Sequence, residues 1–304
     1  MKIFHHDDAD GFGAGYLVMK EHKNENPETI EMNYTKKFPI EIIQEDEIVF
    51  IVDFSIQPEE MTELLKKTKR VVWIDHHISA IEKYNDYPEK IQGLRYVGIS
   101  GVGLTWLFFN KGFNMKQLEE LHEASLDDDE QYNVLCDMLK EAPWFVRLIN
   151  SWDVWKFDEP NTEEFITCLN TRLNIDTMSY LESDDCVREV IETGSKYIEY
   201  RSKWSEGFMN KYGYERTLTF RGQEIKCFVA NLGNANSKFF GDRIDKYDML
   251  VTYCCNGNDY IYSLYSNKDY VDCAEIAKAS GGGGHKGAAG FTYPFSFEQW
   301  CLVA

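Results

Sequence analysis

The chain has 304 residues, 43% of them apolar, enough for two globular domains and too apolar for a disordered protein. Its net charge of −19 argues against a protein that grips long nucleic acid through its phosphates. No apolar run approaches the ~20 residues that span a bilayer, and the charged start Met1-Lys2-Ile3 does not read as a signal peptide, so a cytoplasmic protein without a membrane partner is expected.

The charge is uneven. Residues 215–304 hold nine Lys/Arg and ten Asp/Glu, a net of −1, whereas residues 1–214 hold 23 and 41, a net of −18. The acidic part is suited to hosting cations and the near-neutral part to meeting an anion. The eight cysteines form no C-x-x-C pair, which disfavours a zinc cluster and reads as reduced thiols.

In chain order, residues 1–6 (MKIFHH) read as a strand, followed by a loop and a helix from about Phe12 to Glu21. EIVFIVDFS (47–55) is a nearly continuous apolar run, as in a buried parallel strand; Pro58 opens a helix to about Lys67, and RVVWIDHH (70–77) is a second buried strand. Such alternation predicts a parallel α/β sheet, whose ligands bind beyond the carboxyl ends of its strands. Residues 119–130, with seven acids, read as a solvated face. Residues 132–155 are mostly helical in pattern, and 186–213 read as a helical linker. RTLTF, QEIKCFVA, YDMLVTYC and DYIYSLYS then read as strands, followed by a helix (Asp272 to Ala279), a glycine loop and a last strand. The fold class is therefore α/β: an N-terminal parallel-sheet domain (1–185), the linker, and a smaller α+β domain (214–304), with a cleft expected between them.

Three strand ends carry polar clusters that would converge at one sheet edge: His5 to Asp10, Asp53, and Asp75 to His77. In extended chain His6, Asp8 and Asp10 alternate onto one side. Carboxylates and imidazoles gathered this way repel or take up protons unless a cation sits among them. The donor set suits manganese better than thiolate-loving zinc or calcium. His5 and Asp7 stand as alternatives to His6 and Asp8. Taken singly, each cluster also reads as an ordinary turn or cap, with Asp10 as a helix N-cap.

HHDDADG, VDFS and IDHH, in this order, resemble the first three motifs of the DHH phosphoesterase family. NSWDVWKF (150–157) resembles the fourth, and GGGGHKGAAGF (281–291) the signature loop of the DHH-associated C-terminal domain. The resemblance implies a site for two Mn2+ ions, with Mg2+ or Co2+ as substitutes. Asp53 would bridge them, His6 and Asp8 would bind the first, and Asp10, His76 and Asp153 the second. His77 would lie near the substrate phosphate, and Asp75 would orient a neighbouring imidazole. Asp53, Asp75, His76 and His77 would thus form the catalytic group.

The same resemblance implies a terminal-nucleotide pocket at Gly282, Gly283, Gly284, His285 and Lys286. Tyr265 stands where relatives often carry arginine. Trp144, Trp152 and Trp155 are expected to be core or to frame the Asp153 loop. The implied activity is hydrolysis of short oligoribonucleotides or dinucleotides to nucleoside monophosphates. Alternatives are a cyclic-dinucleotide phosphodiesterase, a 3′-phosphoadenosine 5′-phosphate phosphatase, and a non-catalytic nucleotide-binding protein. A homodimer is compatible with the sequence.

Overall fold

The computed structural model describes residues 1–112 and 129–294. Most of the acidic run at 119–130 lies outside the described residues. The chain divides into two compact units, Met1–Tyr197 and Ile198–Ala304, and a helix spanning Asp184–Tyr212 runs through the boundary.

The first unit is built on a four-stranded parallel sheet of order β2-β1-β3-β4, comprising β1 (Lys2–His6), β2 (Glu28–Met32), β3 (Val49–Val52) and β4 (Val71–Ile74). Alternate residues serve two cores. Ile3, Phe50, Val52, Val72 and Ile74 enter one cluster; Phe4, Val49, Ile51, Val71 and Trp73 enter the other. This two-sided burial explains the continuous apolar runs. β2 was not anticipated: its residues ETIEM lie at an edge and are mostly half-exposed, so they carry no apolar run.

Helix α1 covers Ala9–Glu21, starting earlier than the sequence suggested, because Asp8 rather than Asp10 is its N-cap. The Asp8 carboxylate accepts from the Gly11 amide at 2.9 Å. α2 (Pro58–Lys67) begins at Pro58 as expected. After a one-turn helix α3 (Ile78–Ile81), α4 (Gly101–Asn110) packs against α1. The 132–155 segment resolves into two helices, Asp129–Leu139 and Trp144–Asp153.

The second unit holds a six-stranded mixed sheet of order β5-β6-β7-β8-β10-β9. Its strands are β5 (Tyr214–Phe220), β6 (Gln223–Asn231), β7 (Met249–Cys255), β8 (Asp259–Tyr265), β9 (Gly283–His285) and β10 (Ala288–Pro294). Part of the glycine run is therefore strand: β9 pairs antiparallel with β10.

Among the described residues no helix is long and apolar enough to cross a membrane, and their seven cysteines are free.

Candidate metal centre

Strand register brings the polar clusters together. His5 pairs with Val52, and Val52 with Ile74, so the next residues along the three strands, His6, Asp53 and Asp75, emerge side by side at the carboxyl edge. The chain then turns sharply from β1 into α1. A Cβ on Gly11 would sit 2.3 Å from the His6 carbonyl oxygen, so only glycine fits the turn.

Each acid is held differently. Asp8 accepts from His6 Nδ1 at 2.7 Å. Asp10 is buried, and its two oxygens accept from the backbone amides of Gly101 (2.5 Å) and Val102 (2.8 Å). It is thus fixed by the amino end of α4, where free amides and the helix dipole favour a carboxylate. Nothing in the sequence reading identified this support; the Ser100 cap followed by Gly101-Val102-Gly103 was the available signal.

Asp53 is 1% exposed and has φ +50, a conformation costly for a residue with a side chain. Neither of its carboxylate oxygens has a hydrogen-bond donor among the described residues. Asp75 is fully buried. Its Oδ1 accepts from the His76 and His77 amides (2.8 and 3.3 Å) and from His77 Nδ1 (2.7 Å), so the imidazole it orients is that of His77. His76 Nε2 lies 3.2 Å from Asp53 Oδ1, 3.4 Å from Asp153 Oδ2 and 3.6 Å from Asp10 Oδ2. Asp153 ends its helix, and its Oδ2 is also without a donor.

These side chains fall into groups whose ligand atoms lie within 4.8 Å of one another: His6, Asp8 and Asp53; Asp10, His76 and Asp153; and Asp53, His76 and His77. Neither alternative belongs to these groups, although Asp7 Oδ1 lies 3.6 Å from His6 Nε2. His5 is buried with its ring 4.7 Å from that of Phe12, and Asp7 accepts from the Asn33 side chain at 2.8 Å.

The electrostatics favour positive charge at this centre. Burial, and then the charges of Asp10 and Asp8, raise the Asp53 carboxyl well above the usual range and Asp153 to about 8. Burial lowers His76, keeping it neutral and able to coordinate. The Asp8 carboxylate raises His6, and that of Asp75 raises His77. Oxygen and imidazole donors, with buried carboxylate oxygens lacking a hydrogen-bond donor, fit hard divalent cations.

Residues 1–128 match the model of the DHH family, N-terminal domain. His6, Asp8, Asp10, Asp53, His76 and His77 all lie within this matched segment. The centre's fourth acid, Asp153, falls beyond the matched segment and joins the centre by geometry alone. An uncharacterized protein of Acanthamoeba polyphaga mimivirus is 23% identical over 321 residues, covering 99% of this chain and 68% of that protein. Two solved structures bear a distant likeness. A pGpG-specific phosphodiesterase from Vibrio cholerae is 11% identical, covering 99% of this chain and 94% of that one, with a TM-score of 0.43. RecJ from Thermus thermophilus, in complex with Mn2+, is 15% identical, covering 99% and 50%, with a TM-score of 0.48.

In the metal-free protein the raised carboxyls set a pH trend. A carboxyl whose folded pKa exceeds its unfolded value keeps its proton in the folded state while the unfolded chain releases it. Its contribution to stability therefore falls as pH rises from about 4 to about 8 for Asp153. The difference in melting temperature between Asp153→Asn and wild type is expected to grow in the variant's favour across that window. Saturating manganese is expected to reverse the difference above pH 7. Chelator-treated protein melted from pH 4 to 9 tests this; a difference that does not change with pH contradicts it.

The other predicted binding residues lie in the second unit. Gly283, Gly284 and His285 form β9, and Lys286 is exposed in the turn to β10. The Gly282 amide is committed to the Ala277 carbonyl at 2.9 Å, closing the Cys273–Lys278 helix, and so is not free for an anion. The Tyr265 hydroxyl donates to the Ala235 carbonyl at 2.8 Å.

Proposed function

We propose that the protein is a manganese-dependent phosphodiesterase that hydrolyses short oligoribonucleotides or dinucleotides to nucleoside monophosphates. The observation that carries this reading is the convergence of Asp53, whose oxygens lack a hydrogen-bond donor, with His6 and Asp8 on one side and Asp10, His76 and Asp153 on the other, all but Asp153 within the segment that matches the DHH model.

His6, Asp8 and Asp53 would hold one divalent ion. Asp10, His76 and Asp153, sharing Asp53, would hold the second. Such ions supply charge stabilisation to the oxygens entering and leaving phosphorus in an in-line displacement. The protein's own groups prepare the site. The α4 amides fix Asp10 so that it need not reorganise. Asp75 binds His77 Nδ1 and leaves Nε2 for the substrate. The raised pKa of His77 favours the protonated ring, suited to donate to a phosphate oxygen or to a leaving hydroxyl. The acidity of residues 1–214 favours substrates with few phosphates.

The test is digestion of RNAs of two, three, five and twenty residues with manganese, followed by chromatography. Monophosphates are expected from the short substrates, little product from the longest, and none with chelator. No hydrolysis of any RNA, with release of phosphate from 3′-phosphoadenosine 5′-phosphate or opening of a cyclic dinucleotide instead, would contradict the proposed substrate class.

A further inference from the structure

Trp155 is 74% exposed, the most exposed large apolar side chain among the described residues. It follows Asp153 by two positions, so their Cα atoms lie within about 7 Å of each other. Of the two expectations for these tryptophans, core or framing of the Asp153 loop, its exposure excludes the first and its place in the turn after Asp153 agrees with the second.

Its exposure is imposed by a defined turn. Past Asp153 the chain places both Trp155 (φ +56) and Phe157 (φ +52) in left-handed backbone, costly for aromatic residues. Backbone bonds close the turn: the Trp155 amide donates to the Trp152 carbonyl, and the Lys156 and Phe157 amides both donate to that of Ser151, all at 3.1 Å. Trp152 stacks behind Trp155 with centroids 6.2 Å apart and planes at 26°. Phe157 meets both rings edge-on at 5.7 and 5.5 Å. The ammonium of Lys156 lies 4.1 Å from the Tyr132 ring centroid. The indole is thus braced from behind while one face stays in water.

We propose that Trp155, backed by Trp152 and Phe157, is the stacking platform for the nucleobase adjoining the phosphodiester at the carboxylate centre. The inference rests on the phosphodiesterase reading. Charge selects this occupant. With residues 1–214 at −18, phosphates other than the one at the centre gain little from side-chain contacts in this part of the molecule, and a substrate of two or three nucleotides offers few of them anyway. A base on an exposed indole gains affinity without cationic side chains and tolerates any base identity. Trp155 also follows directly on the helix end that carries Asp153.

The test compares wild type, Trp155→Ala and Trp155→Phe on a dinucleotide and on its analogue lacking one base, in manganese. The platform predicts that Trp155→Ala raises KM for the dinucleotide about tenfold or more, with kcat changed far less. Trp155→Phe should recover most of the loss. For the analogue lacking the stacked base, wild type and Trp155→Ala should have equal KM. The exposed position predicts an unchanged melting temperature, which separates lost stacking from lost folding. Equal KM on the dinucleotide, or the same loss on both substrates, overturns the platform and leaves the phosphodiesterase reading intact. Failure of wild type to cleave any dinucleotide overturns both.

Discussion

Asp53→Asn is expected to lower kcat/KM on a dinucleotide by about a thousandfold or more, on the order of 4 kcal/mol in the barrier, while raising the melting temperature of the metal-free protein. The two effects have one cause. Asp53 is buried, its oxygens meet no donor, and Asp10, Asp8 and Asp153 press on it electrostatically. Without cations the folded protein must keep it protonated or carry an uncompensated charge; with cations it would serve both groups of donors. Asparagine is uncharged, similar in shape, and among the residues that best tolerate the left-handed backbone at this position. The stability gained is expected to be about 1 kcal/mol or more. Manganese should raise the melting temperature of wild type and do so far less for the variant. Turnover within tenfold of wild type, or a less stable metal-free variant, would contradict this role.

Gly101→Ala is the second large effect, at a position with no side chain of its own. An added Cβ would stand 2.5 Å from Asp53 Cβ and 2.9 Å from its Cγ and Oδ1. The same residue's amide holds Asp10. The neighbour that must yield is the buried Asp53, so the substitution would displace the shared acid and strain the anchor of Asp10 together. A helix otherwise prefers alanine to glycine by about 1 kcal/mol. Overpacking here should outweigh that by ~1–3 kcal/mol. Activity is expected to fall about a hundredfold, the scale of a misplacement near 1 Å, with weaker manganese binding by calorimetry. A stabilised variant of normal activity would show that α4 does not set the geometry of the centre.

Most of the centre was legible because strand periodicity and strand ends are sequence signals. Buried parallel strands announce themselves as apolar runs, and the residue closing each run lands at the carboxyl edge, as His6, Asp53 and Asp75 do. Contacts between distant segments leave no such trace. Asp10 depends on amides some ninety residues away. The open space beside Asp53 depends on Gly101. β2 escaped notice because an edge strand with polar residues lacks the pattern of a buried one. The start of α1 was missed because Asp8 and Asp10 are both good caps, and the choice rests on the turn at Gly11. In the glycine loop, composition indicates permissive backbone. It does not show that one amide is spent on a helix end or that three residues pair as a strand.

The central claim is that these side chains exist to gather two divalent cations. Crystals grown with manganese and measured at its absorption edge test it most directly. The account predicts two anomalous peaks, one against His6, Asp8 and Asp53 and one against Asp10, His76 and Asp153, with Asp53 touching both. No peak among these residues, with Asp53 still enclosed and unpartnered, would contradict it.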